Sequence, residues 1–209
     1  MQDAAHELRT PLTSIKANVD LLAVAVDAPA EERREALVGV RRELNELSGV
    51  SDEIIELATE GRSSPDFEEL ELDEVVVEAC DRFQSRSSRA VLVDTTPSTV
   101  RGDADALRRA ITNLVSNAEK YSPPDTPIRV GSSAGLVSVS DSGPGIPPEE
   151  RDLVFERFYR AEGSRSAPGS GLGLAIVRNV AEAHGGSVDV TESPDGGARF
   201  RLLLPVVRS

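Results

Sequence analysis

The chain is poor in cysteine, histidine and aromatic residues. Its 209 residues include one cysteine, two histidines, five phenylalanines, two tyrosines and no tryptophan. A single cysteine excludes an intramolecular disulfide, and Cys80 lies in an apolar stretch where a small core residue is expected rather than a reactive thiol. Such cysteine usage is typical of a reducing compartment, so we predict a cytoplasmic location.

Positive charge and long apolar runs are also scarce. Lysine and arginine number 23 against 36 aspartates and glutamates, which leaves a net charge of −13. This balance argues against binding to nucleic acid or to an anionic membrane. No apolar run is long enough to cross a bilayer, so we expect the spanning part of a membrane-bound parent protein to lie outside this sequence. A hydrophobic content of 39% still predicts a folded core.

The first 61 residues carry a heptad pattern in two stretches. Apolar residues recur at spacings of four and three from Leu8 to Val26 and again from Leu37 to Ala58, with Asp27–Ala30 between them. That pattern is typical of helices packed in a bundle. Two helices with one apolar stripe each cannot enclose a core. We therefore predict an antiparallel hairpin that dimerises into a four-helix bundle; a hairpin docked on the following domain is the alternative.

Beyond the hairpin, helical and strand-like stretches alternate, which predicts a mixed sheet with helices over one face. Asp103 is a candidate N-cap and Gly185 a candidate C-cap. A glycine-rich and proline-rich stretch follows Gly143, and within it only Glu149–Arg160 has a helical pattern. The other predicted helices are Asp73–Arg86, Asp103–Tyr121 and Gly171–His184, and the predicted strands are Val91–Thr95, Ile128–Ser132, Leu136–Ser140, Ser187–Thr191 and Ala198–Leu204.

One of the two histidines stands in the run His6-Glu7-Leu8-Arg9-Thr10-Pro11-Leu12. A neutral imidazole is a nucleophile, and a neighbouring carboxylate such as Glu7 can hold one ring N–H and activate the other nitrogen. Pro11 has no backbone N–H and clashes with the carbonyl of Glu7, so the helix should loosen beside the histidine. The alternative is an ordinary exposed histidine on a charged helix face.

A second group of polar residues lies on one predicted helix. Asn113 and Asn117 are four residues apart and therefore share a face. Their amide oxygens suit a hydrated Mg²⁺ ion, which prefers oxygen ligands and keeps several waters. Lys120 can reach a phosphate, and Tyr121 can cover a base or a ribose. A plain polar helix face is the alternative.

Two glycine-rich segments also favour a nucleotide. Asp141 follows a predicted strand, and its carboxylate can accept a hydrogen bond from the exocyclic amine of adenine. Gly143 and Gly145 allow turn geometry and close approach of a ligand. The segment Gly169–Ala175 opens a helix, whose N-terminal amides favour phosphate. Each segment alone is also compatible with an unliganded turn.

In this order the motifs resemble those of the sensor histidine kinases of two-component systems, and the resemblance covers essentially the whole chain. The match implies His6 as the phosphoryl acceptor, Glu7 as its acid/base partner and Thr10 as a residue that positions water during dephosphorylation of the regulator. The matching segments are His6–Leu12 (H box), Asn113–Tyr121 (N box), Asp141–Pro147 (G1 box), Phe155–Arg160 (F box) and Gly169–Ala175 (G2 box).

The same resemblance implies roles in the nucleotide site. It makes Asn117 the Mg²⁺ ligand and Asp141 the adenine reader. Arg160, rather than Arg157, is our choice for the γ-phosphate. The remaining nucleotide-binding residues that it implies are Asn113, Lys120, Tyr121, Gly143, Gly145, Gly169, Gly171, Leu172 and Gly173.

The implied fold class is α+β: a helical hairpin forming a dimeric four-helix bundle, then an α/β sandwich ATP-binding domain of the histidine-kinase, gyrase and chaperone type. The implied domains are a phosphotransfer hairpin at 1–61, a linker at 62–67 and a catalytic domain at 68–209. The implied cofactors are ATP and Mg²⁺, and the implied partners are a second copy and the receiver domain of a response regulator. The implied activity is autophosphorylation on His6, phosphotransfer to an aspartate and dephosphorylation of the regulator.

Two other functions remain as alternatives. Gyrase-type, chaperone-type and anti-sigma proteins share the implied ATP-binding fold, but they typically carry a glutamate where Asn113 stands. An inactive dimerisation scaffold predicts loss of an essential group, whereas His6, Asn117 and Asp141 are all present.

The sequence also supports expectations for Glu119, for His184 and for the residues before His6. Glu119 should point to solvent. His184 lies in the last turn of a predicted helix, where the helix dipole favours a cation, and receives no catalytic role. Only five residues precede His6, so we expect weakened dimerisation or low autophosphorylation relative to a longer chain.

Overall fold

A computed structural model of the chain describes residues 13, 15–17, 19–20, 31–34, 36–40, 67–161 and 170–207. The chain divides into two units, one containing residues 1–62 with 168–170 and the other residues 63–167 with 171–209. In the first unit, the described residues up to 40 are helical. The heptad positions from 41 to 61, and the residues His6, Glu7 and Thr10, lie outside the described residues.

The second unit opens with a small two-stranded sheet that the sequence did not predict. Strand β1 (Glu68–Glu71) leads directly into helix α1 (Leu72–Gln84). It pairs antiparallel with β3 (Thr99–Gly102), with Glu68 opposite Gly102. Acidic β1 has little strand propensity of its own, so this sheet depends on pairing between distant residues.

The main sheet has five strands, and all five were predicted to within one residue at each end. In spatial order they are β2 (Val91–Thr95), β4 (Ile128–Ser133), β5 (Leu136–Ser140), β7 (Ala198–Leu203) and β6 (Ser187–Glu192). Strands β2 and β4 are parallel, and the other neighbours are antiparallel. Strands β2 and β6 form the two edges of the sheet.

Three helices cover one face of this sheet. Helix α2 (Ala104–Tyr121) packs between α1 and α3 (Gly173–Ala183). In β7, Ala198, Phe200 and Leu202 are buried, whereas the alternating Arg199 and Arg201 lie on the opposite, polar face. The predicted α+β fold, a mixed sheet with helices over one face, is confirmed.

Both predicted helix ends are confirmed. Asp103 Oδ1 accepts hydrogen bonds from the N–H groups of Asp105 and Ala106 at 2.9 and 3.0 Å, which caps α2. Gly185 has φ +69°, and the Gly186 N–H donates to the Ala181 carbonyl at 2.8 Å. This is the left-handed glycine ending that closes many helices.

The predicted helix at Glu149–Arg160 is wrong. The segment forms two 3₁₀ turns, Pro148–Glu150 and Leu153–Phe155. Phe158 then adopts φ +63° and donates its N–H to the Gly171 carbonyl at 3.0 Å. Phe155 is buried and meets the edge of Phe200 with ring centroids 6.2 Å apart. Tertiary contacts of the aromatic residues therefore override the local helical pattern.

His184 corrects a second expectation. Its Nε2 accepts the Asp103 N–H at 3.0 Å, and its Nδ1 lies 2.7 Å from the Val180 carbonyl. An Nε2 that accepts this N–H carries no proton of its own, so the hydrogen bond implies a neutral ring with the proton on Nδ1, whereas the helix dipole alone favours the imidazolium. The ring is 7% exposed and stacks on Phe67. The role of His184 is structural, joining the end of α3 to the start of α2.

Two further side chains can be compared with the sequence. Cys80 is 1% exposed, as expected of a core residue, and its pKa is raised to about 11 by burial and secondarily by the charge of Asp81. Glu119 does not simply face solvent, because it is half-buried and accepts a hydrogen bond from the Ser87 hydroxyl. Among the described helices, none combines the length and apolar character needed to cross a membrane.

Candidate active site

Helix α2 presents the two asparagines on one half-buried face. Asn113 Nδ2 donates to the Gly173 carbonyl at 3.4 Å, a long hydrogen bond that leaves its amide oxygen available. The Asn117 side chain makes no hydrogen bond to any described residue. Two amide oxygens without a donor among the described residues fit the oxygen ligation that Mg²⁺ prefers.

The last turn of α2 carries a cation next to an aromatic ring. Lys120 Nζ lies 4.8 Å from the centroid of the Tyr121 ring. Both side chains are half-buried. The pair combines a positive charge suited to phosphate with a flat apolar face suited to a base or sugar.

Asp141, directly after β5, is 3% exposed. Its Oδ1 accepts from the backbone N–H groups of Gly143 at 2.8 Å and Ala198 at 3.0 Å. Burial raises the pKa of the carboxyl group above its ordinary value of 3.8, and the two N–H donors partly oppose that rise. Within the described parts of the chain no donor reaches Oδ2. That oxygen is therefore positioned to accept from an adenine amine.

Two glycines create the space that Asp141 occupies. A Cβ added at Gly197 would lie 2.2 Å from Asp141 Oδ1, and one at Gly143 would lie 2.7 Å from the Tyr121 carbonyl oxygen. Sequence reasoning missed Gly197 as a site residue. The only local signal was the turn sequence Asp195-Gly196-Gly197, and nothing in that turn indicates contact with Asp141. Gly145 has φ +73°, a conformation that favours glycine.

Helix α3 begins at Gly173, and its N-cap residue Leu172 makes no side-chain cap hydrogen bond. The first-turn amides therefore have no side-chain cap and suit a phosphate group. The Leu172 side chain is fully buried, so any ligand contact would come from its backbone. Gly169 lies outside the described residues.

Packing within the protein requires a glycine at position 171, whether or not a ligand is bound. It has φ +74°, and an added Cβ would lie 2.9 Å from the Phe158 carbonyl carbon. The adjoining Phe155–Arg160 segment is tied to α3 by an ion pair between Glu156 and Arg178 at 3.0 Å. Arg160 in the same segment is half-buried, whereas Arg157 is exposed.

Helix α2 joins the two glycine segments. Its asparagine face bonds to Gly173 at the start of α3. At its C-terminal end, Ser122 Oγ accepts the Ser142 N–H at 3.2 Å. The structure thus gathers the N-box, G1 and G2 residues that it describes around one helix. His6, Glu7 and Thr10 are not among the described residues.

Comparison with known proteins agrees with this arrangement. Residues 102–208 match the family of histidine kinase-, DNA gyrase B-, and HSP90-like ATPases. Residues 1–62 match the phospho-acceptor domain family, His Kinase A.

Curated relatives and solved structures extend the match over the chain. The signal transduction histidine-protein kinase/phosphatase MprB of Mycobacterium avium is 42% identical over 97% of this chain. The chain spans 42% of the length of that relative. A structure of mycobacterial sensor histidine kinase MprB is 38% identical with a TM-score of 0.60, covering 68% of this chain and 99% of that one.

A further solved structure matches all of this chain and 46% of its own length. It is that of full-length ShkA in complex with AMPPNP, at 26% identity and a TM-score of 0.69. The two family matches stand in the order that the motifs predicted, and the second unit carries the described nucleotide-site motifs on one fold. The chain therefore belongs to the sensor histidine kinases of two-component systems.

Proposed function

We propose that this chain is an ATP-dependent kinase core that phosphorylates its own His6 and passes the phosphoryl group to an aspartate of a response regulator. Dephosphorylation of that regulator is part of the proposal. Asp141 is the observation that carries it: one oxygen is held by two backbone N–H groups, and the other has no described donor. A buried carboxylate held in this way is suited to reading an adenine amine.

ATP is the proposed phosphoryl donor, and Mg²⁺ is its proposed counterion, with Asn117 as ligand and Asn113 beside it. When bound, Mg²⁺ offsets the negative charge of the phosphates. Lys120 and Arg160 are proposed to add positive charge at the phosphates, and Tyr121 to cover the base or ribose. The α3 amides after Gly171 are proposed to hold phosphate oxygens. An ATP analogue in the related ShkA structure supports this assignment.

The proposed acceptor is His6, with Glu7 as its acid/base partner and Thr10 as the residue that positions water for dephosphorylation. The phospho-acceptor family match at residues 1–62 supports these roles. Asn113 supports a kinase over the related ATPases, because an amide cannot act as the base that activates water.

The proposed partners are a second copy of the chain and a receiver domain. The proposed domains remain a hairpin at 1–61, a linker at 62–67 and a catalytic domain at 68–209, and the division after residue 62 supports that boundary. We also propose that the parent protein is membrane-bound and that this portion is cytoplasmic, by analogy with the longer MprB relatives.

Radiolabelled ATP tests the proposal with wild-type protein, His6→Ala and Asp141→Asn. We expect acid-labile label on the wild type, none on His6→Ala, and much less on Asp141→Asn at subsaturating ATP. His6→Ala should still bind ATP with wild-type affinity, whereas Asp141→Asn should bind it roughly tenfold to a hundredfold more weakly. Steady hydrolysis that is independent of His6 would instead indicate a related ATPase. Failure of the wild type to bind ATP would indicate a scaffold.

A further inference from the structure

Arg89 lies in the connection between α1 and β2, outside every motif considered so far. Its guanidinium donates to backbone carbonyls at the end of α2. Nη2 reaches the carbonyls of Glu119 at 3.1 Å and Ser122 at 3.2 Å. Nη1 reaches the Thr126 carbonyl at 3.1 Å and also the carbonyls of Pro123 and Pro124. One cation therefore gathers five backbone acceptors.

Two of these acceptors lie next to residues of the proposed nucleotide site. Glu119 and Ser122 immediately flank Lys120 and Tyr121, the two residues proposed to meet the phosphates and the base. The Glu119 and Ser122 carbonyls lie at the C-terminal end of α2, where helical carbonyls lack partners within the helix. A guanidinium is rigid and planar, so it fixes the direction of these peptides as well as neutralising the helix end.

The same helix end touches the adenine-reading segment. Ser122 Oγ accepts the Ser142 N–H, and the Tyr121 carbonyl lies so close to Gly143 that an added Cβ would be 2.7 Å away. Gly143 in turn donates to Asp141. A displacement of the last turn of α2 would therefore reach Lys120, Tyr121 and Asp141 together.

We propose that Arg89 is a positioning residue for nucleotide binding, acting by clamping the C-terminal end of α2 against the Asp141 segment. This inference rests on the proposed function. Arg89 makes no contact with the proposed ligand groups themselves. Its effect should therefore appear in affinity for ATP and not in the phosphoryl-transfer step.

The test measures the dissociation constant for a fluorescent ATP analogue and the rate of His6 phosphorylation at saturating ATP, using the full chain. For Arg89→Ala we expect affinity to fall about tenfold, the scale of one lost charged hydrogen bond. The saturating rate should stay within about twofold, because the groups at the reacting atoms are intact. Millimolar guanidinium should restore affinity to Arg89→Ala, because it can reoccupy the cluster of carbonyls.

Two further variants keep the test decisive. Arg201→Gln removes an equal charge from an exposed pair with Asp189 on the polar face of the sheet, and should leave affinity unchanged. Arg89→Lys keeps the charge but loses the planar fork, and should also weaken affinity, which preserves the test if Arg89→Ala does not fold. Wild-type binding with unchanged affinity in the Arg89 variants overturns this inference alone. Absence of binding by the wild type overturns the proposed function, and this inference with it.

Discussion

Burial raises the pKa of Asp141, so ionising its carboxyl group costs more in the folded protein than in the unfolded chain. Asp141→Asn should retain both backbone hydrogen bonds, since an amide oxygen can accept them. Its NH₂ group cannot accept from an adenine amine, so we expect ATP affinity to fall roughly tenfold to a hundredfold, the scale of a hydrogen bond to a charged group. Calorimetric titration with ATP measures the effect, and unchanged affinity would contradict the assignment.

The same variant makes a prediction about pH. A carboxyl group whose folded pKa lies above its unfolded value binds a proton more tightly in the fold. Its contribution to stability is therefore full below the unfolded pKa and is lost as pH rises through the folded pKa. We expect Asp141→Asn to melt higher than the wild type at neutral pH, with the difference shrinking in acid. Thermal melts at several pH values measure this difference. A variant that melts lower than the wild type at neutral pH would contradict the prediction.

Gly197 could not be identified from the sequence as a site residue. The side chain that requires a glycine there, Asp141, is distant in sequence. A methyl group there would overlap Asp141 Oδ1. We expect Gly197→Ala to lose ATP binding and to destabilise the fold by at least about 2 kcal/mol. Gly196→Ala is the matched control: it has φ +89° but nothing within 4 Å, so it should cost about 1 kcal/mol of backbone strain and leave affinity intact. Urea unfolding with a parallel nucleotide titration separates the two.

Among the structural elements, α2 and α3 are joined end to end by His184. Replacing His184 by Leu should leave the Asp103 N–H without its acceptor, at about 1–3 kcal/mol, whereas the Val180 carbonyl still accepts the backbone N–H of residue 184. Urea denaturation measures this loss. Asp189→Asn, which weakens an exposed pair with Arg201, should cost at most about 1 kcal/mol. Equal losses in the two variants would contradict the linking role.

The elements also show where local sequence is a sufficient guide. The five strands of the main sheet have alternating or continuous apolar residues that suit a sheet covered on one face, so their bounds could be predicted. Strand β1 is almost wholly acidic and exists because β3 pairs with it. The Glu149–Arg160 pattern failed because Phe155 packs on Phe200 and Phe158 bonds to Gly171. The sequence likewise indicated Asp141, but not the distant Ala198 N–H that helps to hold its carboxylate.

At the scale of the whole molecule, the two units should be separable. Because the proposed nucleotide groups lie in the second unit and His6 in the first, we expect residues 63–209 alone to bind ATP. Mixed with residues 1–62 at high concentration, that fragment should phosphorylate His6. Acid-labile label on the smaller fragment is the readout, with His6→Ala as its control. Loss of ATP binding on separation would show that the units depend on each other.

Strand β2 stands at an edge of the main sheet, with the exposed residues Leu92, Val93 and Asp94 in sequence. An open edge of this kind offers unpaired backbone groups to other chains, and a charged side chain is a common defence. Asp94→Val would extend the apolar run and remove one negative charge. We expect that variant to aggregate on storage, as followed by light scattering, while Asp125→Val in an exposed turn stays dispersed. On this prediction, part of the net negative charge of the chain serves to keep a sheet edge from pairing with other copies.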